Sequence, residues 1–466
     1  MQDANVFISK HADEGIAPIA PEKRVLGFAD LFVLWGNLGI GLLVMLAGTF
    51  LVPGLGLGTA LCAIAAGSAL GSLLLASAGA VAARTGLPSM ALLRPALGVR
   101  GSYIPSVLNI VQLAGWTVFE FVVMGVAADA ICARLFGFSS YPFCVAFFAA
   151  GVMVMGLGGP VSVVRQWLKK IAVWVALATG LWLTWHIFSR YGFRPLLARA
   201  GDGSISFWGG VDMVIALPAS WLPLVADYNR FGKKPSSAFW GSFLGLFLTN
   251  SWFLALGAML LLGAGVAQDA RDFSVAIAAA GGWWTLFILL ADETHNAWAD
   301  LYSSAVSAQN LFPRMGHKAL VIVFGLLCLG VALALDITRY QNFLYLIGSF
   351  FVPLFGLLMA DYFVAHGGEY RAQELSRPGG EYWYRGGFSV SGISVWLTGC
   401  LAYHLCSPGT AAAFFPAWSS VPPHWLCAAG GSIPAFAVPF VLRCCMAAAE
   451  KSRAAQSLPA GEAAES

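Results

Sequence analysis

The feature of this sequence that most constrains its fold is a series of apolar stretches, each long enough to cross a lipid bilayer. A transmembrane helix needs about 20 consecutive, mainly apolar residues. Twelve such stretches follow one another, at about 28–52, 55–82, 102–131, 140–160, 167–189, 207–226, 237–263, 281–311, 317–335, 341–364, 389–406 and 424–447. Because 59% of the residues are hydrophobic and only 11% are charged, the composition excludes an ordinary soluble domain. The sequence predicts an all-α integral membrane protein with about 12 transmembrane helices.

Lysine and arginine are distributed unevenly between the segments that connect these spans. With the N-terminus in the cytoplasm, 20 of the 26 lysine and arginine residues fall on the cytoplasmic side. We therefore expect a multi-pass protein of the cell (inner) membrane with both termini in the cytoplasm. The polar N-terminal residues lack the basic and then apolar order of a cleaved signal peptide. The predicted organisation is a cytoplasmic tail over 1–27, a transmembrane domain over 28–448 and a disordered cytoplasmic tail over 449–466.

The third span carries polar and aromatic side chains on one helical face. Gln112, Trp116 and Glu120 are spaced i, i+4, i+8, so on a helix they form one stripe within about 80° of arc. A carboxylate near mid-membrane costs roughly 2.5–3.5 kcal/mol, so it should face a protein or water-lined interior. Such a stripe can stack on a flat ring and hydrogen-bond its edge. Alternatively, Gln112 and Glu120 join helices while Trp116 packs. The three residues together favour a binding site.

The first span contains several residues that weaken a helix. Gly36, Asn37, Gly39 and Gly41 lie near its middle. Glycine costs about 1 kcal/mol relative to alanine in a helix interior, so these positions favour local unwinding. Unwound backbone within a membrane is tolerated where it is buried in protein or lines a cavity. Close helix packing through small residues is the alternative interpretation.

The sixth span is also predicted to be interrupted. Pro218 and Pro223 each remove a backbone donor and disfavour helix at the preceding residue. Ser220 and Trp221 lie between them. A break here would free backbone groups at mid-depth and place an indole beside them. A simple proline kink with Trp221 packed is the alternative.

The eighth span is the most polar of the twelve. Asp292, Asn296, Asp300 and Ser304 repeat at a spacing of four residues, with Glu293, Thr294 and His295 beside them. Several acids in one membrane helix are costly unless they are paired, protonated or bound to a cation. Asp292 and Glu293 could instead lie at a hydrated depth, whereas Asp300 has about a dozen residues of span on its cytoplasmic side. We therefore expect Asp300 to face the protein interior.

The interrupted and polar spans recur at matching places. The two interrupted spans open successive five-helix blocks, and the two polar spans are third in their blocks. An odd number of spans turns the second block upside down, as in secondary transporters with inverted repeats. The pattern predicts repeats over about 28–189 and 207–364, with extra helices over 389–447.

Several segments resemble the nucleobase:cation symporter-1 family, which includes cytosine, purine, allantoin and hydantoin permeases. The segments that carry the resemblance are AGTFLVPG, TGLPSMALLRPALGVRGSY, GWTVFEF, SWLPLVADYNRFGKK, DLYSSAVSAQNLFPR and PLFGLLMADYFV. The resemblance covers about 28 to 445. Within the family, the chain looks closest to the branch assigned to hydroxymethylpyrimidine, a thiamine precursor.

The resemblance implies a leucine-transporter-like core of ten helices plus two extra helices. In this family a planar heterocycle lies between an aromatic residue of the third helix and one of the sixth. By motif position, Trp116 matches the stacking residue of the third helix. Glu120 falls where relatives place the group that binds the ring edge. In the sixth helix the matching position falls near Pro218, so Trp221 is offset by three residues.

The resemblance also bears on the coupling ion. Sodium-coupled relatives use backbone of the first helix, here around Trp35 and Leu38, and small hydroxyl residues of the eighth. His295-Asn296-Ala297 stands where that branch tends to have threonines. Since His295 or the nearby acids can titrate, both Na⁺ and H⁺ are open as the coupling ion.

The predicted function is import of a hydroxymethylpyrimidine or cytosine-like pyrimidine by cation symport with alternating access. The predicted substrate-binding residues are Asn37, Gly39, Gln112, Trp116, Glu120, Pro218, Ser220, Trp221 and Asp300. The predicted cation-binding residues are Trp35, Leu38, Asp292, His295 and Asn296. The expected partners are the small heterocycle and the lipid bilayer, with no cofactor and no obligate protein partner.

Other classes of function fit the sequence less well. An amino-acid or amine symporter of the same fold is the nearest alternative. An intramembrane enzyme would need a nucleophile–base pair or metal ligands, and neither occurs at usable spacing. The cysteines show no CxxC or Cys/His spacing, so no metal is expected beyond a possible Na⁺. No P-loop and no basic, aromatic face for nucleic acid are present.

Overall fold

Helices make up almost all regular structure in the part of the chain that the computed structural model describes. The described residues are 16–158, 173–265, 270–334, 340–375, 377–407 and 430–456. They contain no β-strand, and only two isolated bridges join extended residues. The main helices are α1 (Phe28–Leu38), α2 (Leu42–Thr49), α3 (Leu57–Thr85), α4 (Tyr103–Phe136), α5 (Tyr141–Gly156), α6 (Val173–Tyr191), α7 (Phe207–Trp221), α8 (Val225–Asn229), α9 (Pro235–Ala264), α10 (Ala270–Gly281), α11 (Trp283–Leu311), α12 (His317–Ala332), α13 (Tyr340–Ala360), α14 (Val390–Cys406) and α15 (Ser432–Gln456).

The described helices agree with the predicted spans. Six stretches are long and apolar enough to cross a membrane, and the bent pair α1 and α2 together make a seventh. The helices α5, α12 and α14 are apolar but shorter. The helix α11 has 29 residues, which is long enough to cross a membrane, but its three acids make it less apolar than the six stretches above. Parts of the predicted spans, at 159–160, 167–172, 335 and 424–429, lie outside the described residues.

One helix was not predicted from the sequence. The helix α10 lies between the seventh and eighth predicted spans, and it was missed because it is short and begins with charged residues. Four of its buried residues, Phe273, Ala276, Ile277 and Ala280, are spaced i, i+3, i+4, i+7. This spacing is the amphipathic signal that could have identified it.

The predicted interruption of the first span is confirmed. The helix α1 ends at Leu38 and α2 begins at Leu42, and the two axes differ by 56°. Gly41 has φ 155° and ψ 165°, a backbone conformation that is populated almost only by glycine. The sequence Gly39–Gly41 therefore forms a break within the membrane-spanning part of the chain.

The predicted break of the sixth span is milder than expected and lies at the second of the two prolines, Pro223, and not at Pro218. The helix α7 continues through Pro218 to Trp221, and a 3₁₀ turn over Leu222–Leu224 then leads into α8. Pro218 packs directly on Gly71 of α3, where a β-carbon would come within 2.7 Å of the proline ring. This packing keeps α7 helical through the proline, so the disturbance moves to the turn that contains Pro223.

Contacts divide the chain into two compact units, which are described separately. The first comprises Met1–Ala91 with Tyr103–Ile347, and the second Leu92–Ser102 with Gly348–Ser466. In the first unit, α9 packs against α1, α2 and α3. In the second unit, Asp361 accepts hydrogen bonds from Arg443 Nε at 2.9 Å and Tyr370 Oη at 2.8 Å. The predicted inverted repeat remains a prediction.

Replacing Gly257 by leucine is expected to prevent folding of the first unit. Gly257 of α9 faces the backbone of α2 so closely that a β-carbon would overlap the carbonyl oxygen of Met45. Overpacking typically costs about 1–3 kcal/mol, and a backbone contact cannot move aside as a side chain can. Size-exclusion chromatography in detergent should show loss of the monodisperse peak. Gly151→Leu is the matched control, since that helical glycine has no heavy atom within 4 Å of the added β-carbon. Equal profiles for the two variants would contradict this packing.

Candidate functional site

A small cavity lies where the start of α2 meets α4, α7 and α11, all within the first unit. The residues that line it are Leu43, Val44, Trp116, Glu120, Leu217, Ser220, Trp221, Glu293, Asn296 and Asp300. It has room for about one water molecule. In this conformation the surrounding side chains are therefore closely packed, and a ring-sized ligand requires some of them to move.

The helix α4 contributes the aromatic and acidic side chains predicted from its sequence. Trp116 and Glu120 line the cavity, and both are at least nine-tenths buried. The Trp116 ring packs edge-on against Phe343, with 5.5 Å between ring centroids. Gln112 lies just outside the cavity, and its Nε2 donates to the backbone carbonyl of Ser220 at 3.1 Å. Gln112 therefore positions the end of α7.

The helix α7 brings a second indole to the same cavity. Leu217, Ser220 and Trp221 line it, whereas Pro218 packs on α3 instead. Trp221 lies edge-on to Trp35 of α1, with 6.4 Å between ring centroids. The structure thus places Trp221 with Trp116 around one cavity, despite the offset of three residues in the sixth helix.

One turn of α11 holds both sides of the helix break, and we call Asp292, Glu293 and Asn296 the α11 clamp. Asp292 Oδ1 accepts from Asn37 Nδ2 at 2.9 Å, next to the end of α1. Glu293 Oε2 accepts from the backbone N–H of Leu42 at 2.7 Å, at the start of α2. The Asn296 amide donates to the carbonyl of Ile40 at 3.1 Å.

The chemistry of the α11 clamp matches the needs of a broken helix. The first N–H groups of a helix and the last carbonyl groups have no partner within the helix. A carboxylate at a helix N-terminus both accepts such an N–H and interacts favourably with the helix dipole. Glu293 supplies this carboxylate to α2, so an acid that would be costly alone satisfies backbone that would also be costly alone.

The other predicted cation-binding residues surround the break. Trp35 and Leu38 are fully buried in α1, and the Trp35 indole donates to Asn229 Oδ1 at 2.8 Å. His295 Nδ1 lies 3.7 Å from Asp292 Oδ1. Gly39, which the sequence predicts to bind substrate, faces Thr249 of α9 and is not among the residues that line the cavity. Within the described residues, no three histidine, cysteine or acidic side chains are grouped as a metal site would require.

Three carboxyl groups converge on the cavity. Glu120, Glu293 and Asp300 are each exposed by 2% or less. No lysine or arginine is among the described residues that line the cavity. Buried like charges without a basic partner cannot all remain ionised at acceptable cost. The site therefore favours binding of a proton or another cation.

The sequence did not single out four of the lining residues. Leu43 and Val44 form the first turn of α2, directly after the break, and Leu217 precedes Pro218. Because the first turn of a helix that restarts at a break lies next to that break, the residues directly after Gly41 could have been predicted to line the site. In the sequence, Glu293 stands out only as an acid beside Asp292. Its role depends on the position of Leu42, which the sequence of α11 does not reveal.

The chain matches a family model over most of its length. The model describes a permease for cytosine/purines, uracil, thiamine and allantoin, and it matches residues 18–420. Similar proteins include the hydantoin permease of Microbacterium maritypicum, 26% identical over 84% of each chain. The cytosine permease of Escherichia coli (strain K12) is 26% identical over 75% of this chain and 80% of its own.

Solved structures show the same fold. The transporter Mhp1, in a closed conformation with bromovinylhydantoin bound, is 21% identical and covers 96% of each chain with a TM-score of 0.78. A Na⁺-coupled sialic acid symporter is 11% identical with a TM-score of 0.56, covering 96% of this chain and 94% of its own. These similarities confirm the predicted leucine-transporter-like fold.

The match therefore assigns the chain at the level of a family. The family and fold support cation-coupled transport by a multi-pass membrane protein. Because the model covers far more than half of the chain, this protein belongs to the nucleobase:cation symporter-1 family of permeases, and it is a transporter and not an enzyme.

Proposed function

We propose that this protein imports a planar, nucleobase-like heterocycle, namely hydroxymethylpyrimidine or a cytosine-like pyrimidine, by cation symport. The observation that carries the proposal is the presence of two indoles and hydrogen-bonding side chains around one cavity at a helix break. The face of an indole can stack on a flat ring whatever substituents the ring carries. The carboxyl group of Glu120 suits the ring edge, where N–H and amino groups of a pyrimidine lie.

Alternating access completes the proposed mechanism. The cavity has room for about one water, so binding of a ring requires the lining to open. Trp221 is the more exposed of the two indoles and lies next to the 3₁₀ turn, which makes it the side chain best placed to move. The protein then rocks between outward-open and inward-open forms in the cell membrane, with both termini in the cytoplasm.

An amine is the second candidate substrate, because the three cavity carboxyl groups would pair with an ammonium group. An amino acid fits less well, since its carboxylate would face these same acids. Competition separates the candidates. If amines inhibit uptake and pyrimidines do not, the substrate is an amine and the pyrimidine proposal is wrong.

Uptake of radiolabelled hydroxymethylpyrimidine by cells that express this chain tests the proposed function. Unlabelled cytosine, uracil, hypoxanthine, allantoin and simple amines serve as competitors. We expect saturable uptake that pyrimidines inhibit most strongly. The control is the empty vector, together with immunodetection of the protein in isolated membranes. No uptake and no competition by any heterocycle, from protein shown to be in the membrane, would overturn the proposal.

A further inference from the structure

We propose that the coupled ion is a proton and that the carboxyl group of Asp300 carries it. This inference rests on the proposed function, since it concerns the same cavity and the same uptake. It goes beyond it by naming the ion and its binding residue. The argument depends on the unequal surroundings of the three cavity carboxyl groups.

Glu293 is the carboxyl group best stabilised as an anion. Its Oε2 accepts the backbone N–H of Leu42 at 2.7 Å, at the N-terminus of α2. A helix N-terminus stabilises a negative charge by its free N–H groups and its dipole. The α11 clamp therefore stabilises the anionic form of Glu293 more than the cavity stabilises the anionic form of Glu120 or Asp300.

Within the described part of the chain, neither Glu120 nor Asp300 accepts a hydrogen bond from the N-terminus of a helix, as Glu293 does. Glu120 is 2% exposed and lines the cavity, and its Oε2, like Oε1 of Glu293, has no hydrogen-bond partner among the described residues. Asp300 is equally buried. The hydrogen bond from the Ser304 hydroxyl goes to its backbone carbonyl, at 2.8 Å, and not to its carboxyl group. Ionising either group next to Glu293 would bury a second, uncompensated charge.

The described residues that line the cavity include no lysine or arginine whose positive charge could offset these acids. Glu120 faces it from α4, and Glu293 and Asp300 face it from α11. Cys328 of α12 lies close enough to interact electrostatically with Glu120 and Asp300, and Tyr228 of α8 lies close enough to interact with Asp300. His295 lies beside Asp292 in α11, where the Asn37 contact is made. Neutralisation of Glu120 and Asp300 must therefore come from protons or from a bound cation.

Asp300 is the better carrier because of its position on α11. It lies seven residues after Glu293, two helical turns along the same face. In the proposed function, Glu120 binds the ring edge, so its carboxyl group is already engaged in hydrogen bonds to the substrate. Loss of the proton from Asp300 places a second negative charge on the face of α11 that holds α1 and α2. Repulsion between Asp300 and Glu293 then opposes the clamped arrangement, which links proton release to movement at the break.

Purified protein in liposomes tests this coupling. A gradient of one pH unit, alkaline inside, should drive accumulation of radiolabelled pyrimidine by up to about tenfold for one proton per substrate. A protonophore should abolish the accumulation, and a sodium gradient at equal pH should drive none. Accumulation that follows the sodium gradient and ignores the pH gradient would overturn the proposal.

The variant Asp300→Asn separates proton coupling from folding and binding. Its amide resembles the protonated acid but cannot release a proton, so we expect the ratio of pH-driven accumulation to exchange of labelled for unlabelled substrate to fall well below that of wild type; exchange measured on the same liposomes reports any loss of binding, because Asp300 also lines the cavity. Asp129→Asn is the matched control, because that acid accepts from Ser139 and does not line the cavity. Accumulation by Asp300→Asn equal to wild type would overturn the assignment of Asp300.

A failure of this inference can be told apart from a failure of the proposed function. If wild-type protein exchanges no heterocycle at all, the proposed function fails. If it exchanges a pyrimidine and the pH gradient has no effect, only the proton inference fails. Asp300→Glu keeps a carboxyl group and should retain proton-driven accumulation, which guards against a misfolded asparagine variant. Loss of accumulation in Asp300→Glu with normal exchange would contradict proton carriage by this carboxyl group.

Discussion

Replacing Gly41 by alanine is expected to abolish uptake while the protein still reaches the membrane. The added β-carbon would lie 2.5 Å from Glu293 Oε2 and 2.9 Å from Asn296 Nδ2, so the α11 clamp could not hold the break as it does. The backbone conformation of Gly41 adds a strain of about 1–3 kcal/mol for any other residue. Initial uptake rates, normalised to protein in isolated membranes, measure the effect.

Gly137→Ala is the matched control for this variant. Gly137 also has a positive φ, 65°, but a β-carbon there would meet no heavy atom within 4 Å. We expect near-normal uptake for this control, because it adds backbone strain without crowding. Normal uptake by Gly41→Ala would show that contact between α11 and the break is not needed for transport.

Replacing Trp116 by alanine is expected to weaken substrate binding strongly. Stacking of a base on an aromatic side chain contributes about 1–3 kcal/mol. Its loss corresponds to a rise of about 5- to 140-fold in the half-saturation concentration. Concentration-dependent uptake of labelled pyrimidine measures this change, and Trp116→Phe should restore most of the affinity.

Phe119→Ala is a closely matched control for Trp116→Ala. Both rings pack on Phe343, with centroid distances of 5.5 Å for Trp116 and 5.1 Å for Phe119. Only Trp116 is among the described residues that line the cavity. A similar loss in both variants would indicate a packing role for Trp116. If Trp116→Ala and Glu120→Ala, each present in the membrane, took up substrate normally, the site assignment would be wrong.

The structure gives a physical reason for the acids of α11. In isolation, Asp292 and Glu293 are costly in a membrane helix, and the unwound backbone at Gly39–Gly41 is costly as well. The α11 clamp joins the two, so each offsets the cost of the other. In the proposed mechanism, this arrangement places acidic groups next to the break, so that a change of charge on a neighbouring group such as Asp300 acts on the break.

The sequence by itself determined the class of protein, most of the described helices and the place of the first break. Apolar length predicts spans because a bilayer has a set thickness, and glycines weaken a helix wherever they occur. The polar stripe of α4 was equally visible, since its spacing of four residues follows directly from helical geometry.

Only the tertiary structure decided which of the predicted residues share the cavity. Pro218 and Gly39 had the local marks of a site, but their neighbours Gly71 and Thr249 turn both into packing residues. Conversely, Glu293 is part of the site because its carboxyl group accepts the backbone N–H of Leu42, which lies in another helix and has no acceptor within that helix. A sequence pattern shows that a buried polar group must be satisfied. It does not show by which partner, because the partner lies some 250 residues away along the chain.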